Sequence, residues 1–314
     1  MRVIIAGGTG FIGRALAADW ASRGNEVLVL SRNAPDEGPA RNLGPGVTPV
    51  RWEGRGGGDW ADYVDGAGLV VNLAGERVAG AGLAYRWTKT RKTLLETSRR
   101  EAGAALVAAI GAARLKPRVL VQASGIDYYG AGEEAVDETS SAGSSYLSSL
   151  VGGIWEPSTA AVEAMGVRRI ILRMGPVLGA GSPVLGPLVL QHRLFAGGPL
   201  GSGRQWFPWV ALEDVLASLR FPVGREEAAG PWNLVSPGIV RNGELSRSLA
   251  TLLGLPSWLG TPAFALRLAF GEMAETLLTG VHALPRRLLE AGYRFAYPDI
   301  GAVLGAALGR TQKP

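Results

Sequence analysis

The sequence of 314 residues has no cysteine and only two histidines. Without cysteine there can be no disulfide, no thiolate metal site and no cysteine nucleophile. His192 and His282 lie far apart in the chain, so we expect no histidine-based metal cluster and no bound metal. The sequence therefore predicts chemistry that depends on neither thiols nor a metal ion.

Long apolar runs and clustered charge are missing as well. No run reaches transmembrane length, and the opening "MRVIIAGGTG" leaves no room for a signal peptide, so we expect a cytoplasmic protein that binds no membrane. The net charge is +5, but the basic residues are scattered and no nucleic-acid motif accompanies them. We therefore predict a small-molecule substrate, no nucleic-acid partner, and a homodimer as the possible assembly.

The first thirty residues contain a glycine-rich turn between a strand and a helix. A β-branched run at 2–6 predicts a buried parallel strand, and the spacing of Ile12, Leu16 and Trp20 predicts the helix. Glycine lets the pyrophosphate of a dinucleotide approach the backbone, where free N–H groups and the helix dipole attract it. We therefore predict a dinucleotide site at this turn. Its predicted contacts are Gly7, Thr9, Gly10, Phe11, Ile12 and Gly13.

The end of the second strand, "LVLSRN", indicates which dinucleotide binds. NAD enzymes usually place Asp or Glu there to hold the ribose 2′-hydroxyl, but this chain has no carboxylate until Asp36. Ser31 and Arg32 instead suit a 2′-phosphate, through charge-assisted hydrogen bonds. We therefore predict NADP(H) as the cofactor, with a solvated loop position for Arg32 as the alternative.

Strand-like runs alternate with helical segments along the chain. The later runs are "GVTPVRW" (46–52), "GLVVNLAG" (68–75), "RVLVQASG" (118–125), "RRIILRMG" (168–175) and "GPWNLVSP" (230–237), and the main helical segments are 89–113 and 148–165. This alternation predicts an α/β fold with a Rossmann-type doubly wound parallel sheet. Ligands of such sheets bind beyond the carboxyl ends of the strands. The further cofactor contacts predicted at these ends are Leu73, Ala74, Gly75 and Met174.

The composition changes near residue 176. Segment 176–207 is rich in Gly and Pro and is predicted to be dominated by loops, whereas "ALEDVLASLRFPV" predicts an amphipathic helix. We predict an NADP-binding Rossmann domain over 1–175, to which 208–237 returns. Segments 176–207 and 238–314 would form a smaller, C-terminal substrate lobe, the latter with two or three helices.

Several further motifs follow one another along the chain. They are "GGTGFIG", "VVNLAGE", "RWTKTRKTLLETSR", "YYG", "LRMGPVLG", "LGSGRQWFPWVALEDV" and "GEMAETLLTGVHALPRRLLEAGYRF". Together they resemble the atypical extended short-chain dehydrogenase/reductases called the epimerase family, relatives of nucleotide-sugar epimerases, over essentially the whole chain. The resemblance implies an NADP(H)-binding Rossmann domain with a small C-terminal lobe over the nicotinamide, and it implies no particular substrate.

Extended enzymes of this class move a proton through a tyrosine whose pKa is lowered by a lysine four residues later. Tyr146 lies in the corresponding stretch, "SSYLSSLVGGIWEPS", but Leu150 takes the lysine position. The chain has no lysine over 117–312, so no other register restores the pair. We therefore expect Tyr146 to keep a pKa nearer the free value of about 10. Trp155 and Glu156 match the end of this helix in the related group.

Other candidate residues lie on loops after the strands. Ser124 is close to the usual serine position, but Gly125 could hold that position instead, which would leave Ser124 a structural or cofactor-side hydroxyl. Tyr129 is either a substrate contact or a packing aromatic. Glu76 either holds a substrate or ribose hydroxyl or lies at a helix N terminus.

Arg204 and Gln205 resemble substrate-lobe residues, and an arginine there suits a phosphate or carboxylate unless it is a solvated loop residue. Two functions remain open. The first is an NADP(H)-dependent oxidoreductase or epimerase-like enzyme for a small polar hydroxyl or carbonyl substrate, with Glu76, Tyr129, or water as proton donor. The second is a catalytically inactive NADP(H)-binding sensor or regulatory protein, which the missing lysine favours.

Overall fold

The computed structural model describes residues 1–33, 37–41, 43–79 and 86–310. In chain order the strands are β1 (Arg2–Ala6), β2 (Glu26–Ser31), β3 (Val47–Arg51), β4 (Leu69–Asn72), β5 (Val119–Gly125), β6 (Ala135–Val136), β7 (Arg168–Met174), β8 (Val177–Leu178), β9 (Trp206–Phe207), β10 (Val210–Ala211), β11 (Gly230–Leu234), β12 (Val240–Arg241) and β13 (His282–Ala283). The α-helices are α1 (Phe11–Ser22), α2 (Lys89–Ala112), α3 (Tyr146–Leu150), α4 (Leu185–Arg193), α5 (Leu212–Val223), α6 (Asn242–Leu253), α7 (Ala263–Phe270), α8 (Glu275–Leu278), α9 (Arg286–Glu290) and α10 (Ile300–Ala307).

Seven parallel strands form the central sheet, in the order β11-β7-β5-β4-β1-β2-β3. The chain runs outward from β1 to β3 and then resumes at β4 on the other side of β1. The glycine turn after β1 therefore lies at the switch point of the sheet, where ligands of such folds bind. This order confirms the predicted doubly wound α/β fold, and each of the seven predicted runs contains one strand of the sheet.

Helices cover both faces of the sheet because its strands are apolar on both sides. On one face Val3 of β1 belongs to a buried cluster with Leu16 of α1 and Val215 of α5. On the other face Ile4 belongs to a cluster with Leu106 of α2. The loops that follow the strands gather at the carboxyl edge between these layers. None of the described helices is both long enough and apolar enough to cross a bilayer.

The helix predicted over 148–165 begins earlier and is not a regular α-helix. The Ser145 side chain caps α3 by accepting a hydrogen bond from the backbone N–H of Ser148. After little more than one turn the chain widens into a π-helical turn, Val151–Trp155, and then tightens into a 3-10 helix, Pro157–Met165. Two adjacent glycines in the wide turn and a proline without an N–H explain why the α-helical ladder does not continue. Glu156 lies at the junction of the two forms.

The segments predicted to form a smaller lobe contain more helix than the sequence predicted. Segment 176–207, expected to be dominated by loops, contains α4, and the described residues beyond 238 contain five α-helices rather than two or three. Pro187 lies in the first turn of α4, where a helix tolerates the missing N–H. The high content of Gly and Pro in this segment therefore does not exclude a helix. Leu185 of α4 and Leu249 of α6 belong to a separate apolar cluster, which also includes Trp209.

A buried carboxylate joins the C-terminal segment to the sheet domain. Asp214, in the first turn of α5, is fully buried. Its oxygens accept hydrogen bonds from the backbone N–H groups of Ala296 (2.8 Å) and Tyr297 (3.0 Å) and from the Tyr293 hydroxyl (3.1 Å). Because these donors lie far along the chain, Asp214 fixes the last part of the lobe against the Rossmann-type sheet.

Candidate functional site

The turn after β1 leaves space for a ligand at Gly10 and not at its neighbours. Gly7 has a φ of +77°, and a Cβ there would lie 2.9 Å from Ala74 N. A Cβ on Gly13 would lie 2.5 Å from Gly8 Cα, so the packing of the turn itself requires glycine at both positions. A Cβ on Gly10 would meet only the Gly7 carbonyl oxygen, at 3.6 Å. Gly10 is the N-cap of α1 and supplies no capping side chain, so the first-turn N–H groups fit a pyrophosphate.

The loop after β4 lies opposite this turn. Asn72 Oδ1 accepts a hydrogen bond from Ala74 N (3.1 Å), while Asn72 Nδ2 donates to Gln122 Oε1 (2.9 Å), which fixes the loop. In the glycine turn, the Thr9 carbonyl accepts a hydrogen bond from Arg14 Nε (3.0 Å). The predicted cofactor contacts that pack against one shared apolar cluster are Phe11, Ile12, Leu73 and Met174. The structure thus brings the predicted contacts from three parts of the chain together.

The end of β2 presents one buried and one exposed polar residue. The Ser31 hydroxyl is buried and accepts a hydrogen bond from Asn33 N (3.2 Å). Arg32 is exposed, so its guanidinium is accessible to an anionic group at this edge of the sheet. Asp36, the first carboxylate after the strand, lies outside the described residues.

A buried arginine, Arg99 of α2, lies beside the loop after β4. Arg99 is 3% exposed, and its guanidinium carbon lies 4.5 Å from the centroid of the Trp155 ring. A Cβ built on Gly75, in the loop after β4, would lie 3.4 Å from this guanidinium carbon of Arg99. Burial lowers the pKa of Arg99 to about 10, so the side chain stays charged at neutral pH. Neighbouring Glu76 accepts a hydrogen bond from Arg91 Nη1 (3.1 Å) and is not the start of a helix.

Ser124 and Tyr129 belong to one buried polar network. Ser124 Oγ donates to Glu156 Oε1 (2.6 Å), and Arg173 donates to both Glu156 oxygens, at 2.8 and 2.9 Å. Arg173 Nη1 also donates to the Tyr129 hydroxyl (3.0 Å), which in turn donates to Asn233 Oδ1 (2.8 Å). Burial raises the pKa of Tyr129. The geometry therefore shows both hydroxyls joining β5, β7 and β11 through hydrogen bonds.

Tyr146 lies in a different environment, at the first residue of α3. Its hydroxyl donates to the Lys92 carbonyl oxygen (3.3 Å), and Lys92 Nζ lies 4.4 Å from the centroid of its ring. That ammonium pairs with Glu272 (2.6 Å) rather than with the hydroxyl. Burial, followed by the Glu96 carboxylate, raises the pKa of Tyr146 to about 12. The expectation of a value near that of free tyrosine is therefore wrong, and the hydroxyl is an even weaker acid.

Asp127 lies two residues beyond β5 and close to Arg99. It is exposed to water, yet protein surrounds its carboxyl group closely enough that burial raises its pKa, while the Arg99 charge opposes this rise. The carboxyl group is therefore accessible to a ligand, while its surroundings disfavour its charged form. The carboxyl edge of the sheet thus contains a carboxyl group and a guanidinium beside the loop that faces the glycine turn.

The two predicted substrate residues have different surroundings. Gln205 is buried, and its Nε2 donates to two backbone carbonyls, at 2.8 and 2.9 Å, which places its amide inside the lobe. Arg204 is exposed and lines a cleft of about 460 Å³ together with Arg241 and Arg247. The structure therefore leaves Arg204, and not Gln205, accessible to a ligand.

Arg99 and Asp127 are the charged site residues that the sequence reasoning did not select. Arg99 lies four residues after Leu95 and three before Ala102, so it shares the buried face of α2. A charge on such a face needs a partner or a function. Asp127 lies in the loop after β5, where ligands of parallel sheets bind. These two positional signals were present in the sequence, although neither residue completes a known motif.

Comparisons with known proteins agree with this geometry. The chain matches the description "NAD dependent epimerase/dehydratase family" over residues 3–233 and "Domain of unknown function (DUF1731)" over residues 261–307. It is 35% identical over 313 residues to epimerase family protein SDR39U1 of Bos taurus, covering 97% of this chain and 98% of that protein. It is 33% identical over 303 residues to epimerase family protein YfhF of Bacillus subtilis, covering 96% and 95%.

A solved structure is similar over its full length. The crystal structure of human epimerase family protein SDR39U1 (isoform 2) with NADPH matches with a TM-score of 0.85 at 32% identity, covering 98% of this chain and 99% of that one. The parallel sheet and its glycine turn define a protein with an NAD(P)-binding, Rossmann-type fold. The chain belongs to the NAD-dependent epimerase/dehydratase family and carries the DUF1731 domain near its C terminus. The predicted resemblance is thereby confirmed.

Proposed function

We propose that this protein is an NADP(H)-dependent oxidoreductase or epimerase-like enzyme for a small polar substrate with a hydroxyl or carbonyl group. The observation that carries the proposal is the space at Gly10, where uncapped N–H groups of α1 face a position that protein atoms leave open. A pyrophosphate fits such a position. The NADPH in the crystal structure of the human relative supports the same assignment.

The exposed side chain of Arg32 supports NADP(H) rather than NAD(H). A guanidinium at the end of β2 suits the 2′-phosphate that distinguishes the two cofactors. When bound, the nicotinamide supplies or accepts a hydride. The chain's own residues would bind the pyrophosphate at the glycine turn, orient the substrate oxygen beside Arg99 and Asp127, and move a proton. Arg173, which is paired with Glu156, also donates to the Tyr129 hydroxyl two residues after Asp127 and so supports that segment.

The test is oxidation of NADPH by the purified protein in the presence of a panel of small polar aldehydes, ketones and hydroxyketones, followed by the absorbance of NADPH. We expect at least one compound to be reduced. Binding of NADPH without reduction of any compound would favour the second function, an inactive NADP(H)-binding sensor or regulator. Leu150 is the observation in favour of that function, since a leucine in the lysine position cannot lower a tyrosine pKa.

A further inference from the structure

The strand β5 ends at a residue without a side chain, and a carboxylate fills the adjoining space. A Cβ built on Gly125 would lie 3.2 Å from Asp127 Oδ2. Among the described residues, no side chain other than that of Asp127 comes within 4 Å of this position, its chain neighbours aside. The Asp127 carboxylate therefore reaches the place where a serine at position 125 would hold its hydroxyl.

The other acid–base side chains near this edge of the sheet are engaged elsewhere. The Ser124 hydroxyl donates to a carboxylate, and the Tyr129 hydroxyl both donates and accepts inside the buried network. The Tyr146 hydroxyl faces a carbonyl of α2, and Glu76 is paired with Arg91. Within the described part of the chain, each of these groups is already hydrogen-bonded or paired with another protein group. None of them is left available to a substrate oxygen.

Asp127 differs from these groups in both access and partners. It is exposed to water, and the hydrogen bond that its carboxylate accepts comes from its own backbone N–H. The backbone at Asp127 is fixed by a neighbouring helix, because Ser148 Oγ of α3 donates a hydrogen bond to the Asp127 carbonyl oxygen (2.8 Å). The backbone of Asp127 is therefore held in place, while its side chain remains accessible to water.

Arg99 provides a buried positive charge that acts on Asp127. Its Nε is buried and has no hydrogen-bond partner among the described residues, while its Nη1 donates to the Leu95 carbonyl (3.0 Å). The charges of Glu76, Arg91 and Asp127 act on Arg99, and Arg99 is the charged side chain that acts on Asp127. A guanidinium in this position would stabilise the negative charge that develops on a substrate oxygen during proton transfer.

We propose that Asp127 is the proton donor and acceptor of this enzyme, in place of the absent tyrosine–lysine pair. The inference rests on the proposed function. In the reductive direction the carbonyl carbon gains a hydride from a reduced nicotinamide dinucleotide. The Asp127 O–H bond breaks, an O–H bond forms on the carbonyl oxygen, and the products are an alcohol, the oxidised dinucleotide and the Asp127 carboxylate. Water then returns the proton to the carboxylate.

The test compares the wild type with Asp127→Asn, which keeps the size of the side chain and cannot titrate. Asp62→Asn is the matched control, because Asp62 is an exposed aspartate on a short helix before β4. Three quantities are measured for each protein. They are the NADPH affinity by fluorescence titration, the kcat/KM for the best carbonyl compound from the panel, and the carboxyl titration by carbon NMR with labelled aspartate.

We expect Asp127→Asn to bind NADPH within about threefold of the wild type and to lose about 100-fold in kcat/KM, the usual contribution of a general acid. Asp62→Asn should match the wild type in both. The wild-type spectrum should contain a carboxyl that titrates above the ordinary pKa of about 3.9 and is absent from Asp127→Asn. The wild-type kcat/KM for reduction should fall as the pH rises through that pKa, because the acid must be protonated.

Three results would overturn the inference while leaving the proposed function intact. They are an Asp127→Asn variant that turns over like the wild type, a variant that has lost NADPH affinity, or an Asp127 carboxyl that titrates at or below the ordinary value. A wild type that binds NADPH and reduces no compound would instead overturn the proposed function, and with it this inference. The NMR titration needs neither cofactor nor substrate, so it judges the carboxyl group independently of turnover.

Discussion

At the level of single residues, the glycines of the first turn are required for two different reasons. Gly7 and Gly13 are required by the protein itself, since a Cβ at either would collide with backbone atoms. Gly10 has an ordinary φ of −76°, and a Cβ there would make no close contact with the protein. A glycine that the folded chain does not need, placed at the N terminus of a helix, points to a ligand that approaches the backbone.

Gly10→Ala should therefore weaken NADPH binding strongly while changing the stability of the fold only slightly. Alanine is the weaker N-cap, so we expect a loss of at most about 1 kcal/mol in the free energy of unfolding. NADPH affinity should fall at least tenfold, because the new methyl group projects from the N-cap toward the proposed pyrophosphate position. Urea unfolding and fluorescence titration measure the two effects. Gly13→Ala is the comparison variant, and it should lose stability through its contact with the Gly8 Cα.

Tyr146→Phe should leave catalysis nearly unchanged. The pKa of Tyr146, raised to about 12 mainly by burial, keeps the hydroxyl protonated at neutral and mildly alkaline pH, so it is a poor base there. We expect kcat/KM within twofold of the wild type between about pH 6 and 9, and a loss of about 1 kcal/mol in stability from the hydrogen bond to the Lys92 carbonyl. A large loss of kcat/KM with unchanged NADPH affinity would show that Tyr146 moves the proton after all.

The sequence predicted the glycine turn better than the surroundings of the candidate catalytic residues. The glycine turn is local, so strand, turn and helix in succession suffice to predict it. The surroundings of Asp127 and Arg99 depend on contacts between residues far apart in the chain. Nothing in the sequence near Ser124 indicates that its hydroxyl bonds Glu156, which lies 32 residues further on. That contact exists because the helical segment after α3 packs beside β5, where Glu156 also meets Arg173 of the neighbouring strand β7.

At the level of secondary-structure elements, one buried ion pair connects the helical segment after α3 with the centre of the sheet. Glu156 and Arg173 are each buried, and two hydrogen bonds join them. Burial disfavours the Arg173 charge, but the hydrogen bonds and the charge of Glu156 outweigh it and raise the pKa of Arg173. Removing one partner from such a pair leaves an uncompensated charge in the interior.

Glu156→Gln should lower the free energy of unfolding by about 3–5 kcal/mol, since it leaves Arg173 without its buried counter-charge. The control is Glu163→Gln, because Glu163 forms an ion pair with Arg169 (2.7 Å) but its side chain is 55% exposed. An exposed pair contributes at most about 1 kcal/mol. Urea unfolding of the two variants measures the difference. Equal losses would contradict the account of the buried network.

The strands of the sheet were predictable and the helical segment after Tyr146 was not. Each strand is a short apolar run bounded by turn residues, which is a local signal. The π-helical turn depends on Glu156 N bonding the Val151 carbonyl (2.9 Å), one residue beyond the α-helical partner. A Cβ on Gly152 would lie 3.1 Å from the Tyr128 ring, so this segment is shaped by a neighbouring loop. Sequence patterns carry no information on such a contact.

At the level of the whole molecule, the C-terminal segments are fixed to the Rossmann-type sheet and its helices at several separate points. Asp214 holds the segment that precedes α10. The Glu138 carboxylate accepts hydrogen bonds from the backbone of Asn233 in β11 and of Arg287 in α9. Lys92 of α2 pairs with Glu272 of the lobe. The C-terminal segments are therefore anchored to the sheet that carries the glycine turn and the Asp127 segment.

The central claim is that the chain binds NADP(H) in preference to NAD(H), and titration of the wild type and of Arg32→Ala with NADPH and NADH tests it most directly. A charge-assisted hydrogen bond contributes about 1.5–3 kcal/mol, which corresponds to at least about tenfold in affinity. We predict that the wild type binds NADPH at least about tenfold more tightly than NADH, and that Arg32→Ala loses most of this preference while its NADH affinity is unchanged. Wild-type binding of NADH as tight as, or tighter than, that of NADPH would contradict the account.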